Sequence, residues 1–506
     1  MTHTAASTDA DLLIVGGGIN GAGIARDAAG RGLSVILCEK GDLACATSSA
    51  SSKLVHGGLR YLEQLEFRLV AEALAEREVL LRAAPHLVRP MRFVMPHARG
   101  LRPGWVLRAG LLMYDWLARR QTLPGSASVD FGPSSYGAGL QPQYTRGYAY
   151  SDCWVDDARL VIANARAAAD AGASIRPRTE CVSAVRTGSH WRVRLRDTTG
   201  VETEVSARAL VNAAGPWVEH FLTHVLGEPS RDHLKLVQGS HIVVPRLYEG
   251  DYAYILQNDD RRVIFVYPYE GAFTLIGTTD VALTGDPRMC RASDAEIEYL
   301  CRAANRYFAT WIGAADVRWS YCGVRALQDD GARNPSRVTR DYLLRLDAGA
   351  DRAPLLSVFG GKITTYRRLA ERALDQLGEV MPVAAPWTSG KGLPGSDIPR
   401  ADLEGYAAAL ADSRPALPRP LVRALALRHG SSAREVLGDA STQSDLGMDF
   451  GGGLCAREVD YFLAHEWAHE ADDVLWRRTK AGLHVSEGQR AALVHYVAAR
   501  RETCVR

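Results

Sequence analysis

Gly16, Gly18 and Gly21 stand in the string Gly16-Gly17-Gly18-Ile19-Asn20-Gly21, between the apolar run Leu12–Val15 and a helical pattern from Ala22 to Arg31. A second short run, Ser34–Cys38, follows, and Glu39 closes it eighteen residues beyond Gly21. This order suits a dinucleotide: Gly16 permits the tight turn, Gly18 admits a pyrophosphate, and Gly21 lets helix and strand pack closely. The helix start adds unpaired N–H groups and about half a positive charge for the phosphates. Glu39 can accept hydrogen bonds from ribose hydroxyls and would repel a 2′-phosphate. A lone GxGxxG is weak evidence, but strand, glycines, helix, strand and acid in register make it strong. A second unit of the same kind lies far along the chain, where Leu355–Phe359 runs into Gly360-Gly361-Lys362-Ile363-Thr364-Thr365 and a helix to about Leu377. A third string, His465-Glu466-Trp467-Ala468-His469, reads as HExxH on a helix with both histidines on one face. Zinc there would need another ligand, for which Glu487 is available. Phe462, Leu463 and Trp467 give that helix a packing face, so no metal is expected.

Composition bounds what must position these residues. The 506 residues exceed what one core supports, so two or three domains are expected. Apolar residues at 47% and charged residues at 23% are those of an ordinary soluble protein, and a net charge of +2 gives no reason to expect nucleic acid. Nine scattered cysteines without a CxxC pair argue for a reducing compartment, against a disulfide framework and against a thiolate zinc site. Met1–Ala10 is polar and lacks an apolar stretch, so no secretory signal is expected. No uncharged apolar run approaches the roughly 20 residues that span a bilayer.

Along the chain, Gly41–Ser52 is a small, polar loop rich in serine and threonine. Glu63–Ala84 and Val155–Ala171 read as helices, and Ala184–Leu195 and Glu202–Val211 as antiparallel strands. Val211–Trp217 is a strand ending in a small-residue turn at Gly215. From Arg89 to Arg120 seven arginines face one acid, Asp115, and alternate with apolar residues such as Trp105, Leu112, Met113 and Trp116. Gly239–Pro245, Tyr252–Gln257, Val263–Tyr267 and Phe273–Thr278 alternate and carry many β-branched and aromatic residues, as an antiparallel sheet does. The remainder after the Pro/Gly-rich stretch Met381–Pro399 is helical.

The strings GGGINGAGIARDAAGRGL, CATSSASSKLVHGGLRYLE, SDCWVDDARLV, NAAGPW, GSHIVVP, GTTD, GVRAL, TRDY and SVFGGKITTYRRLAE occur in the order seen in the FAD-dependent glycerol-3-phosphate dehydrogenases. The chain resembles the bacterial aerobic enzymes of that family from about Asp11 to about Gly488. The implied fold is an α/β Rossmann-like FAD-binding domain with an inserted antiparallel-sheet substrate (cap) domain, plus a C-terminal all-α domain. The expected division is FAD-binding residues 1–95, 151–238 and 325–385, a basic and apolar connection at 96–150, a cap at 239–324, and a helical domain at 390–506. The implied reaction is oxidation of sn-glycerol 3-phosphate to dihydroxyacetone phosphate, with hydride passing from C2 to flavin N5 and electrons to a membrane quinone. An oxygen-reducing oxidase of the same fold group is the alternative.

Such chemistry needs a flavin, a base for the hydroxyl proton, a positive pocket for phosphate and help for charge on the flavin ring. Noncovalent FAD is expected on Gly16, Gly18, Asn20, Gly21, Glu39, Thr47, Ser48, Ser52, Gly215, Gly360, Gly361, Lys362, Ile363 and Thr364, with Lys362 and its helix start beside the flavin N1/O2 edge. Arg60 and Arg325 are the expected phosphate ligands, with Arg340 a third arginine, and Thr279 joins the substrate site. His241 is assigned the proton-acceptor role and His56 substrate orientation, although the sequence allows the exchange. Expected partners are glycerol 3-phosphate, ubiquinone or menaquinone, and an anionic membrane surface touched by Arg89–Arg120. The oligomeric state stays open, a homodimer included. The expected place is the cytoplasm, peripheral on the inner face of the cytoplasmic membrane.

Overall fold

Leu12, Leu13 and Ile14 are fully buried because their strand, Ala10–Val15, runs through the middle of a sheet covered on both faces. The computed structural model describes residues 8–97, 102–117, 121–260, 262–329 and 341–504. The strand order of this first sheet is Leu343–Gly349, Arg352–Phe359, Glu202–Asn212, Ala10–Val15, Val35–Cys38 and Ser174–Arg176. The four neighbouring pairs from Arg352–Phe359 to Ser174–Arg176 are parallel, which suits the near-continuous apolar runs of the two central strands, Ala10–Val15 and Val35–Cys38. Helices Ile19–Gly30, Asp157–Asp170 and Tyr366–Leu377 cover one face. Thr179–Thr187 and His190–Asp197 form an antiparallel pair that leads onto Glu202–Asn212 and helps cover the other.

The second sheet has ten strands and departs from the expected domain division. Leu234–Pro245, Tyr252–Gln257, Val263–Tyr269 and Phe273–Gly277 form its centre, as their alternation foretold. Val88–His97 adds to Tyr252–Gln257 in parallel and pairs with Arg146–Val155 from Val88↔Val155 to His97↔Arg146. Leu54–Val55 and Ala127–Asp130 join at the same end. The flanks of the segment 96–150, expected as connection, are therefore strands of the substrate sheet, and the helix Gly104–Trp116 lies between them. Pro90 and Pro96 hide the strand pattern of Val88–His97, because proline ordinarily argues against an interior strand. Trp319–Gln328 pairs with Leu234–Pro245 along ten residues, so the sheet continues past 324. One disulfide, Cys290–Cys322, joins that strand to the turn before the helix Asp294–Asn305, although the scattered cysteines argued against a disulfide framework. The pairing of residues 32 apart depends on tertiary approach and leaves no local spacing signature.

Helices Leu403–Asp412, Arg419–His429, Ala456–His465 and Glu487–Cys504 dominate the C-terminal region around two apolar clusters. The HExxH string does not form a single helix. The helix stops at His465, and Trp467 takes a left-handed backbone (φ +55°), so the two histidines do not share a helical face. Glu466 is buried and forms an ion pair with Arg159 of the first domain. Buried Asp42, just past the dinucleotide motif, likewise holds Arg477 and Arg478. The helical region is thus tied to the nucleotide-binding region by buried charges.

Candidate active site

The dinucleotide turn has the close approaches its glycines allow. Gly16 has φ +115°, and a Cβ there would lie 2.4 Å from the Ala213 carbonyl oxygen. A Cβ on Gly21 would lie 1.9 Å from the Gly16 oxygen, so helix and strand meet only through glycine. No side chain caps the helix at Gly18, although Ser48 Oγ accepts from the Ile19 N–H at 3.0 Å. Glu39 spreads its carboxylate between the N–H groups of Gly17 and Gly41, both at 2.8 Å. The second glycine unit lies directly against the first. Asn20 Nδ2 donates to the Gly360 carbonyl at 3.1 Å, and a Cβ on Gly361 would fall 2.7 Å from that amide. Asn20 Oδ1 is buried without a hydrogen-bond partner, and Gly215 turns with φ +56° beside Ala214. A cradle built from two glycine turns 340 residues apart, with an unsatisfied amide oxygen inside it, fits a long dinucleotide such as FAD.

The loop Gly41–Ser52 bridges this cradle to the second sheet. Thr47 Oγ1 donates to the Val324 carbonyl at 2.7 Å, and Gly323 lets the Ala50 carbonyl approach to 2.4 Å of where a Cβ would stand. On the sheet, Tyr321, His241, Gly277 and Phe265 form one row of directly paired residues on four strands. Paired residues of adjacent strands share a face, and alternation puts Arg325 on that same face four residues beyond Tyr321. Two glycines make room for these side chains. A Cβ on Gly277 would lie 2.1 Å from His241 Cδ2, and one on Gly239 would lie 2.4 Å from Arg325 Nη2.

His241 is 2% exposed, its Nε2 lies 2.9 Å from Ser52 Oγ, and Tyr321 stacks on its ring at 4.7 Å. Burial, then Arg325 and Lys53, hold its pKa well below the usual imidazole value, so the ring is neutral at pH 7. His56 closes the row, its ring centre 6.0 Å from that of Phe265. Burial, with Lys362 second, lowers His56 to about 4. The His56 backbone N–H donates to Thr364 Oγ1 at 3.3 Å, and Lys362 Nζ stands 4.0 Å over the Tyr61 ring. Ile363 packs against the apolar cluster under the first sheet. Arg325 donates to Asp280 at 2.6 Å, to Thr278 Oγ1 at 3.0 Å and to the Thr279 carbonyl at 3.3 Å.

The fold therefore brings His56, His241, Arg325, Lys362 and Thr364 to the seam between cradle and sheet. The Thr279 side chain is not among them. Its hydroxyl donates to Glu296 at 2.6 Å and accepts from the Ser240 N–H, because it turns to the opposite face, where helix Asp294–Asn305 packs. The side chain of Arg60 and the whole of Arg340 lie outside the described residues. Asp280 and Thr278, which hold Arg325, escaped sequence reasoning. The signal available was GTTD itself, an acid placed beside a chosen threonine.

Residues 11–367 match the family model described as FAD dependent oxidoreductase, and residues 386–501 match that of the C-terminal domain of alpha-glycerophosphate oxidase. The glycerol-3-phosphate dehydrogenase of Pseudomonas aeruginosa is 52% identical over 488 residues, covering 96% of this chain and 94% of that protein. The chain belongs to the FAD-dependent glycerol-3-phosphate dehydrogenase family. The D-erythritol 1-phosphate dehydrogenase of Brucella abortus is 51% identical over 96% of this chain and 97% of its own length. The crystal structure of the Bacillus halodurans glycerol-3-phosphate dehydrogenase complexed with FAD superposes with a TM-score of 0.71 at 26% identity, covering 97% of this chain and 94% of that one. The cofactor of this chain is FAD and its reaction is FAD-dependent oxidation of glycerol 3-phosphate. Cys45, the thiol beside the cradle, is exposed with its Sγ 3.8 Å from Glu39 Oε1, and that carboxylate opposes the thiolate a covalent flavin bond would require. Acid precipitation is expected to release all flavin into the supernatant, and yellow colour retained on the pellet would contradict this.

Proposed function

We propose that His241 accepts the C2 hydroxyl proton of sn-glycerol 3-phosphate while Arg325 and Arg60 hold its phosphate and His56 orients the carbon chain. The observation that carries this reading is the shared face of His241 and Arg325, each seated by a glycine, opposite His56 and Lys362 of the cofactor side. FAD, when bound, supplies the acceptor for the hydride leaving C2. Gly16, Gly18, Gly21, Ser48, Asn20, Gly360 and Gly361 would hold it, and Lys362 with Thr364 would face its ring. A neutral imidazole can receive a proton, and the phosphate dianion at Arg325 offsets the positive field that depresses His241. The deciding experiment is anaerobic mixing with glycerol 3-phosphate, which should bleach the yellow protein. D-erythritol 1-phosphate is the competing substrate that a 51% identical relative makes specific, and faster bleaching by it would favour that reading. Quinone as electron acceptor is tested by comparing reduction of a soluble quinone with consumption of oxygen. Oxygen uptake matching turnover would favour the oxidase reading that the C-terminal family match keeps in view.

Contact with the membrane is a further part of this proposal, on a changed surface. Several of the arginines expected to face the bilayer are engaged within the protein. Arg89 stacks on Trp154, Arg92 bonds Ser151 and the Gly125 carbonyl, Arg102 pairs with Glu63 at 2.6 Å, and Arg108 bonds Ser126. Arg99, Arg119 and Arg120 lie outside the described residues. Exposed instead is an apolar stripe on helix Gly104–Trp116, where Trp105 is 76% and Trp116 91% accessible, joined by Leu112 and Met113. Spacings of seven and four residues put Trp105, Leu112 and Trp116 on one face, which suits a helix lying at the headgroup boundary. No helix among the described residues is long and apolar enough to cross a membrane. Trp105→Ser with Trp116→Ser should abolish flotation with liposomes and leave turnover of a soluble acceptor intact. Flotation equal to the parent's would place the contact elsewhere. A homodimer is tested by sedimentation of the detergent-free and detergent-bound protein.

A further inference from the structure

Beneath the cofactor loop lies a buried ion pair with no part in the reaction above. Lys53 is 1% exposed, and its Nζ donates to Asp157 Oδ1 at 2.7 Å and to the Ser49 carbonyl at 3.0 Å. Asp157, fully buried in the first turn of Asp157–Asp170, accepts on its other oxygen from the N–H and hydroxyl of Ser51 at 3.1 and 2.7 Å. Ser51 Oγ in turn accepts from the Lys53 N–H at 2.9 Å. The Lys53 backbone is left-handed, φ +49°, a conformation that a non-glycine residue keeps only where its surroundings over-determine it. Buried ion pairs are poor sources of stability, because desolvation cancels much of the attraction. The value of this one lies in the geometry it fixes.

What it fixes is Ser52. Tyr267 donates its hydroxyl to the Ser52 carbonyl at 2.5 Å, and Tyr321 donates to the Ser51 carbonyl at 2.9 Å. The Tyr321 ring also stacks on His241 and lies 5.3 Å from Lys53 Nζ. Ser52 Oγ makes the one hydrogen bond to the His241 imidazole found among the described residues, since Nδ1 has none. We propose that Ser52 is a positioning residue that holds His241 Nε2 toward the cofactor loop, and that the Lys53–Asp157 pair holds Ser52 there. This rests on His241 as proton acceptor. Without the hydroxyl the imidazole can turn away from the productive direction while phosphate binding at Arg325 is untouched, so kcat rather than KM carries the loss. For His241 to take the C2 proton its other nitrogen must carry the lone pair, so Nε2–H donates to Ser52 Oγ and Nδ1, which has no hydrogen-bond partner, is the accepting atom. An acceptor on Nε2–H favours the charged ring, which Arg325 and Lys53 disfavour, so losing it shifts the acidic limb of the kcat profile to lower pH.

The test compares FAD-loaded Ser52→Ala, Ser52→Thr, Lys53→Met and the Ser52→Ala/Lys53→Met pair, with His241→Ala as reference. Ser52→Ala should lose about 10–10²-fold in kcat, keep KM within about twofold, and keep the parent's flavin content and melting temperature. Ser52→Thr, which retains the hydroxyl, should recover most of the rate and the parental pH limb. Adding Lys53→Met to Ser52→Ala should cost little more, because both act through one hydroxyl. Parental kcat and pH limb in Ser52→Ala beside an inactive His241→Ala would overturn the proposal. So would a fall in kcat matched by loss of flavin, which makes Ser52 a cofactor contact alone. A fully active His241→Ala would instead overturn the choice of base. Should Lys53→Met fail to fold, the Ser52→Ala and Ser52→Thr pair decides.

Discussion

His241→Ala is expected to lower kcat roughly 10²–10⁴-fold, the usual worth of a positioned base. The loss belongs in kcat because nothing in the geometry asks His241 to hold the phosphate, which falls to Arg325 two rows along the same face. FAD should remain bound, since the cradle is built on the first sheet and on the two glycine turns. The pH profile of the parent supports the same assignment in a different way. Burial, Arg325 and Lys53 keep the free imidazole neutral well below pH 6.5, so kcat/KM expressed per substrate dianion, the substrate phosphate itself titrating at about pH 6, should stay level through pH 6 and fall only in more acid solution. The check is steady-state kinetics with flavin absorbance as the denominator. An equal drop in flavin content and rate would make His241 a structural residue, and an acidic limb near 6.5 would mean that its burial is lost in solution.

Arg325→Ala is expected to raise KM for glycerol 3-phosphate more than about tenfold, because a charge-assisted hydrogen bond is worth on the order of 1.5–3 kcal/mol. The structure adds a second effect. Asp280, 2.6 Å from the guanidinium and 11% exposed as a side chain, would stay behind as a carboxylate facing the incoming phosphate. The single variant should therefore lose more than the contact itself, and Arg325→Ala with Asp280→Asn should regain part of the loss. Turnover of unphosphorylated glycerol, which has no phosphate for Arg325 to hold, should change little in either variant. Equal losses on both substrates would show that Arg325 serves the fold or the flavin.

The nucleotide-binding half was legible because its information is local. Gly16 takes a left-handed backbone (φ +115°) and Gly21 meets the Gly16 carbonyl five residues away, and periodicity marks the strand and helix around them. In the arginine-rich stretch the deciding information is not local. Arg102 meets Glu63 and Gln257, and Arg89 meets Trp154, partners whose approach depends on sheet pairing across many residues. Once those charges were satisfied, what remained outside was the tryptophan stripe between them. The HExxH string shows the same limit in reverse, since spacing alone places two histidines on a helix that the structure ends at the first.

By itself the sequence determined the dinucleotide fold, the presence of a second, antiparallel sheet and the residue types that phosphate and proton chemistry require. Turn geometry and side-chain period are short-range properties, and they are written where they act. Only the tertiary structure decided that Val88–His97 and Arg146–Val155 belong to the substrate sheet, that Thr279 turns its hydroxyl to Glu296, and that Asp280 holds Arg325. It also decided that Ser52 meets His241 across 189 positions. Which strands become neighbours is set by burial of the whole apolar surface at once, and register then aims each side chain. No local pattern encodes that sum.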